Sequence, residues 1–359
     1  MYTVSTIGYH EKDIPAFMDF ENISKWSQSD RQHVCLGIFV DSEKIIMGVS
    51  SLNRPEIKIY SDIHYFDKTF DFFNEIEKVK NIFIANDCQV LFSVMSVAGS
   101  ISHDHVMIST LIRGTHEQVI LFNDLPYEIF PLDRRLFIND TVTAAYGIIS
   151  IHENGNLSDY FLDSWNQQSK ENISLDGTSI VLSFGSKNGV AFIIEDEIDH
   201  QKRVISSELS HSQIQTQNMN EIEKEFVKFI SQKIYASAFV PEWDDVSSYR
   251  GLELAYAFVN PHLKDSIYLD ENHNDGDHST EYVKFSQIQA MAASGDKGAL
   301  KAYILYYRMI TYTTQFMSLA LSNIKRIFLI STEDFRNKKL ISLDDIIEIT
   351  SYTPIEFLF

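Results

Sequence analysis

The sequence predicts an alternating α/β fold divided between two lobes, on three observations. Apolar runs of strand length end abruptly in polar tips, and stretches of helical periodicity stand between them. At 359 residues the chain is long for one compact domain and comfortable for two.

Taken in order, residues 1–33 are mixed and polar and read as an extension. The stretch VCLGIFVDSEKIIMGVSS (34–51) reads as a hairpin turning at Asp41-Ser42-Glu43. YFDKTFDFFNEIEKVK (65–80) has helical spacing of Phe and Ile, CQVLFSVMSVAGS (88–100) reads as a buried strand, and DHVMIST (104–110) as a short following strand. In LFINDTVTAAYG (136–147) the apolar run Leu136-Phe137-Ile138 predicts a buried strand. It stops at Asn139-Asp140, and small and apolar residues then continue as a helix to about residue 150.

The second half repeats the alternation. SIVLSFGSKNGVAFIIED (179–196) predicts strand, glycine-containing turn and strand. MNEIEKEFVKFISQKIY (219–235) predicts an amphipathic helix with Ile222, Phe226, Phe229 and Ile230 on one face. A further helix is expected over 249–260, a surface loop over 270–280, and two helices within 285–323 that meet near Ser294-Gly295-Asp296. Strands are expected at 326–331 and 354–359.

Composition narrows the function. The chain is 44% hydrophobic, enough for a sizeable core, and carries 50 acidic against 30 basic residues, a formal net charge of -20. That balance speaks against nucleic acid or an anionic membrane as partner, since both need a basic footprint. The two cysteines, Cys35 and Cys88, have no zinc-type or CxxC spacing. The first residues lack a basic region followed by an apolar run, and no stretch approaches about 18 apolar residues, so the expectation is a soluble cytoplasmic protein. His273, Asp275, Asp277 and His278 crowd one loop, but their spacing fits no metal geometry and reads as solvated.

In α/β folds functional groups gather at the carboxyl ends of strands. Those ends carry Asp41, Ala98-Gly99-Ser100, Asn139-Asp140, Gly185-Ser186-Lys187-Asn188-Gly189 and Ser331-Thr332, with Glu208 and His211 close behind another strand. Singly, each has a plain structural reading: Asn139-Asp140 as a helix N-cap, Glu208-x-x-His211 as a helix-spaced surface pair, the glycine segment as a hairpin loop.

In order and spacing, five segments resemble the bacterial glucokinase family, two-domain sugar kinases of the actin and hexokinase ATPase type. AGSISHDHVMIST is similar to the family's Ala-Gly-Pro segment, and FINDTVTAAYGI to its Asn-Asp-Phe-x-Ala segment. SFGSKNGVA falls in register on Gly-Pro-Gly-Thr-Gly-Leu-Gly-Val-Ala, SSELSH on Ser-Glu-Gly-Gly-His, and WDDVSSYRGLELAY on Glu-Arg-Val-Leu-Ser-Gly-Pro-Gly-Leu. The resemblance runs from about residue 34 to the C-terminus. It implies a two-lobed actin-like (ribonuclease H-like) fold. The small lobe would cover 34–138 and recover a C-terminal strand from 340–359, and the large lobe would cover 139–335.

It also implies chemistry. Asp140 takes the place of the general base for the sugar 6-hydroxyl, a role that needs a carboxylate held about 3 Å from the proton it accepts. Asn139, Glu208 and His211 fall on sugar-hydroxyl contacts. The third family carboxylate, a Glu, falls on Asp244, one methylene shorter, with Glu242 and Asp245 as neighbours able to stand in. The implied partner is a hexose, glucose by family, with ATP and Mg as cofactors and a homodimer as the assembly often seen.

The phosphate side departs from the family. Asp-x-Gly-Gly-Thr-x-x-Arg has no counterpart in LGIFVDSEKII: without a gap its Asp falls on Gly37, and with a shortened loop on Asp41, with Lys44 for the Arg. The second loop keeps Gly185, Ser186 and Gly189 but puts Lys187 in the place of its middle glycine. The late Gly-Gly that supports adenosine has become Ser331-Thr332. Loss of glycine at three loops that meet one nucleotide weakens a reaction that depends on positioning and charge neutralisation. The expectation is therefore a glucokinase-like protein, a pseudokinase, with a retained hexose site and weak or lost ATP-dependent transfer. The alternatives are an active glucokinase with atypical phosphate loops and a non-catalytic interaction scaffold.

Overall fold

The strand β1 (Thr3–Ile7) comes first, and the hairpin read at 34–51 follows as β2 (Val34–Asp41) and β3 (Lys44–Ser51), antiparallel with Gly37 opposite Gly48. In this computed structural model residues 3–7, 20–41, 44–61, 64–65, 69–108, 119–155, 157, 161–163, 173–185, 187–196, 198–263 and 283–331 are described. The strands expected at 340–359 and the loop expected at 270–280 lie outside them. The chain divides into two units, residues 9–146 and residues 1–8 with 147–359.

The smaller unit is built on five strands in the order β10-β6-β2-β3-β4, where β4 is Lys58–Tyr60, β6 Val90–Val97 and β10 Arg135–Asn139; β5 (His64–Tyr65) also pairs with β3. Strands β2, β6 and β10 are parallel, so their carboxyl ends coincide: Val40 and Asn139 both lie opposite Val97. Helix α1 (Gln28–Arg31) precedes the hairpin, and α2 (Thr69–Ala85) buries Phe72, Ile76, Val79 and Phe83 at helical spacing. Phe20 and Ile23, read from the sequence as part of an extension, are buried in this core. A small sheet of β7 (Gly99–Ile101), β8 (His105–Ile108) and β9 (Val119–Leu121) completes the unit. A side chain at Gly99 would bring its Cβ to 2.1 Å from the Met107 carbonyl oxygen, so the β7–β8 approach needs glycine.

Strand β10 corrects one reading. Among the described residues it is the edge of its sheet and pairs with β6, and Leu136 is exposed where a buried strand was expected. Phe137 is covered by stacking on Phe122, ring centroids 3.7 Å apart.

Helix α3 (Asp140–Glu153) follows β10 directly, and the division between the units falls inside it, after Tyr146. The sequence placed that boundary at 138/139.

The larger unit holds a six-stranded sheet in the order β11-β1-β15-β12-β13-β14. Its remaining strands are β11 (Phe161–Asp163), β12 (Thr178–Phe184), β13 (Gly189–Glu195), β14 (Lys202–Ser207) and β15 (Ile324–Ser331). Residues 3–7, assigned to the extension from sequence, thus pair with β15 in parallel and with β11 antiparallel. Helices α4 (Glu221–Tyr235), α5 (Trp243–Ser247), α6 (Tyr249–Val259), α7 (Phe285–Ala293) and α8 (Lys297–Ser318) share its core with β12 and β13. On α4, Phe226, Phe229 and Ile230 are buried as expected, but Ile222 is 63% exposed and Val227 and Glu223 take the inner face. Glu223 is held there by Arg308 at 2.7 Å and the Tyr312 hydroxyl at 3.0 Å. Among the described residues no helix is long and apolar enough to cross a membrane.

Candidate functional site

Each unit collects its candidate residues at the carboxyl end of its sheet. In the smaller unit Asp41 closes β2, Ala98 follows β6 and donates its N–H to the Val40 carbonyl at 3.0 Å, and Asn139-Asp140 joins β10 to α3. Only the backbone of Asp41 is described. Gly37 sits inside the hairpin, so of the two alternatives Asp41 alone occupies a strand end.

The Asn139-Asp140 junction is both a cap and a presented pair. The Thr141 N–H donates to Asn139 Oδ1 at 2.9 Å and to Asp140 Oδ1 at 2.8 Å. The Thr143 hydroxyl donates back to the Asn139 carbonyl at 3.0 Å and lies 2.8 Å from Ser96 Oγ, tying the helix start to β6. Both side chains are half-buried. The amino end of α3 adds the positive end of its dipole, which favours a carboxylate there.

In the larger unit the register brings three segments together. Ser183 pairs with Gly189, Val190 with Ser207, and Phe184 with Ser331. The loop 185–189, the turn carrying Glu208 and the end of β15 therefore lie at one end of one sheet. Ser186 and Thr332 are outside the described residues, and of Ser331 only the backbone is described. Lys187 is exposed on the loop, while Gly185 is buried and its carbonyl accepts the Tyr249 N–H at 2.8 Å.

After β14, a short 3-10 turn (Leu209–His211) places Glu208 and His211 side by side, with Glu208 Oε2 3.7 Å from His211 Nε2. The next residues pair with the approach to α5: Ile214 N–H donates to the Pro241 carbonyl at 2.9 Å and Trp243 N–H to the Ser212 carbonyl at 3.1 Å. This brings Glu242 Oε2 to 2.8 Å from His211 Nδ1. Glu208, His211 and Glu242 all remain open to solvent, at 82%, 46% and 36% side-chain exposure.

Asp244 is elsewhere. It is 8% exposed and accepts the Asn188 N–H at 2.6 Å. Asn188 Nδ2 donates to Ser247 Oγ at 2.6 Å, and Ser247 donates to the Trp243 carbonyl at 2.7 Å. Burial pushes the Asp244 carboxyl up to about 6, with the Asn188 N–H and His211 acting against that rise. Asp245 accepts from the Glu242 N–H at 2.9 Å and from the Tyr235 hydroxyl at 2.8 Å, and pairs with Arg250. Of the acidic run 242–245, the residue that meets His211 is Glu242. The sequence named Asn188 only as part of the 185–189 strand end and gave no role to Ser247; the signal at Asn188 was a polar residue where the family motif has Leu, at the start of an apolar strand.

Gly251 makes the geometry possible. A Cβ there would stand 2.3 Å from the Val246 carbonyl oxygen, so α6 leaves α5 at a distance only glycine permits.

No family model matches the chain. Glucokinase 1 of Trichomonas vaginalis is 26% identical over 299 residues, 80% of this chain and 76% of that protein. Glucokinase from Balamuthia mandrillaris, solved in complex with glucose, superposes with a TM-score of 0.78 at 18% identity, over 93% of this chain and 89% of the other. Leishmania braziliensis glucokinase superposes with a TM-score of 0.66 at 17% identity, over 97% and 90%. The fold is that of the actin-like ATPases, and in both sequence and fold this chain is similar to glucokinases.

Proposed function

We propose that this chain is a glucokinase-like protein that binds a hexose, glucose first, and in which ATP-dependent phosphorylation of the 6-hydroxyl is weak or lost. The observation that carries this reading is a contrast at one strand end of the larger unit. The sugar-side groups Glu208, His211 and Glu242 are open to solvent, whereas the loop donors a phosphate would need are already engaged. The Asn188 N–H is bonded to Asp244 and the Gly189 N–H to Ser183 Oγ at 3.1 Å. Backbone N–H groups of such a loop are what cradle phosphates. ATP and its metal therefore fit this loop poorly. Lys187, exposed on the same loop, favours retained nucleotide binding.

On this reading Asp140 accepts the proton of the sugar 6-hydroxyl. Asn139 hydrogen-bonds neighbouring hydroxyls through its amide. Glu208 and His211 contact hydroxyls nearer the anomeric carbon, and Glu242 serves as the third carboxylate in place of Asp244. Carboxylates accept and an imidazole both donates and accepts in fixed planes, which suits vicinal hydroxyls.

A coupled glucose 6-phosphate assay with Mg-ATP tests the proposal. The expected result is turnover near background in the natural chain. Where the natural chain shows a rate measurably above background, Asp140→Asn should bring it down to background while glucose binding stays within about threefold, because the amide keeps shape and loses basicity. Brisk turnover overturns the claim of weak transfer, and an unchanged rate in Asp140→Asn overturns the assignment of the base.

A further inference from the structure

A sugar contact does not explain why a carboxylate is buried at residue 244, since Asp244 is 8% exposed and its Oδ1 is already taken by the Asn188 N–H. The surroundings give another answer. Asp244 accepts the N–H of Asn188 on the β12–β13 loop, and its charge is felt by or feels His211 on the turn after β14, Asp245 on its own helix, Arg250 on α6 and Tyr306 on α8. The Tyr306 hydroxyl donates to the Ser247 carbonyl at 3.1 Å, and the Thr313 hydroxyl lies 3.1 Å from Ser247 Oγ. Helix α5 has only five residues, Trp243–Ser247, and both its ends are tied to Asn188, one through Asp244 and the other through Ser247. Glu242 is the residue immediately before that helix. Its backbone is fixed by Asp245, which leaves its side chain to the position of α5 as a whole.

We infer that Asp244, Asn188 and Ser247 form an internal brace. In it a carboxylate takes the loop donor that a phosphate would take, and the loop 185–189 holds α5 and Glu242 against His211 instead of holding nucleotide. Asp244 and Asn188 are then positioning residues for the sugar, and neither touches it. A carboxylate suits this task because a charge-assisted hydrogen bond holds roughly twice as strongly as a neutral one. The inference rests on the hexose reading for its effect on sugar, but the brace itself is a property of the fold and is read separately.

The test uses the full chain and the variants Asp244→Ala and Asp244→Asn, with Ser247→Ala as the milder cut if Asp244→Ala does not fold. Amide hydrogen exchange over 185–189 reads the brace without any ligand. Calorimetry with glucose and, separately, with Mg-ATP reads its consequence. In Asp244→Ala, or in Ser247→Ala to a smaller degree, exchange over 185–189 should quicken and glucose should bind about tenfold more weakly, the loss of one bond to a charged group. Asp244→Asn keeps an acceptor for the Asn188 N–H and should restore glucose binding to within about threefold. Mg-ATP binding should not fall in any variant. Unchanged exchange in the cut variants overturns the brace. A fall in Mg-ATP binding with glucose unaffected overturns the assignment of the loop and returns it to the phosphate. If the natural chain binds neither ligand, the hexose reading fails, and the exchange result still decides the brace.

Discussion

Glu242 and Asp244 stand two residues apart in one acidic run, and their surroundings are opposite. Glu242 faces solvent and the His211 ring, while Asp244 is sealed against a backbone N–H and carries a carboxyl shifted up to about 6 by burial. Two carboxylates separated by one residue have been given different work by the direction α5 takes. A sequence motif locates the acidic cluster; burial and hydrogen-bond partners decide which member can meet a ligand.

The comparison breaks most completely if the helix junction is displaced. Gly251→Ala pushes a Cβ into the Val246 carbonyl and should destabilise the chain by about 2–4 kcal/mol, read by denaturant unfolding. A change under about 0.5 kcal/mol would mean that the α5–α6 turn relaxes freely.

Asp244→Asn sharpens it next. Because the folded carboxyl titrates near 6 against an ordinary value of 3.8, the protonated form stabilises the fold. That contribution is fully present below the ordinary value and is lost as pH rises through about 6. Asparagine avoids the loss, so the variant should be more stable than the natural chain above about pH 7, by at most about 3 kcal/mol, and no more stable below about pH 4. Equal stability at both ends of the range would show that Asp244 is not strained by its burial.

Glu242→Gln addresses the open partner. It should leave unfolding stability within about 0.5 kcal/mol, since exposed pairs contribute little, and weaken glucose binding by about fivefold to tenfold. The smallest effect is expected at Ile222, where truncation to Ala should cost under about 0.5 kcal/mol, against about 3–5 kcal/mol for the buried Phe226→Ala on the same helix. A large loss at Ile222 would mean that something covers it.

Much of the fold was legible in the sequence. The hairpins at 34–51 and 179–196, the helices of the second half and the strand-to-helix turn at 139–140 all follow from apolar period and polar punctuation. What escaped was set by partners distant in sequence. Leu136 is exposed on a strand at the edge of its sheet, and Phe20 is buried because the segment before β2 packs on α2; neither is visible in local period. Ile222 fits a helical face by spacing, but the core takes Glu223 instead, since Arg308 and Tyr312 wait there for it. At the candidate site, residue type and order were enough to put forward Asn139, Asp140, Glu208 and His211 as candidates. The bonds of Asn188 to Asp244 and Ser247, and the approach of Glu242 to His211, depend on contacts across more than 30 residues of chain and were not legible.

The central claim is that the sugar side is retained while the phosphate side has been turned inward. Calorimetric titration of the natural chain with glucose, repeated with His211→Ala, tests it most directly. The account predicts a saturable glucose signal that does not depend on Mg-ATP and that weakens about tenfold or more without the imidazole. No heat from glucose, or a glucose signal indifferent to His211, would contradict it.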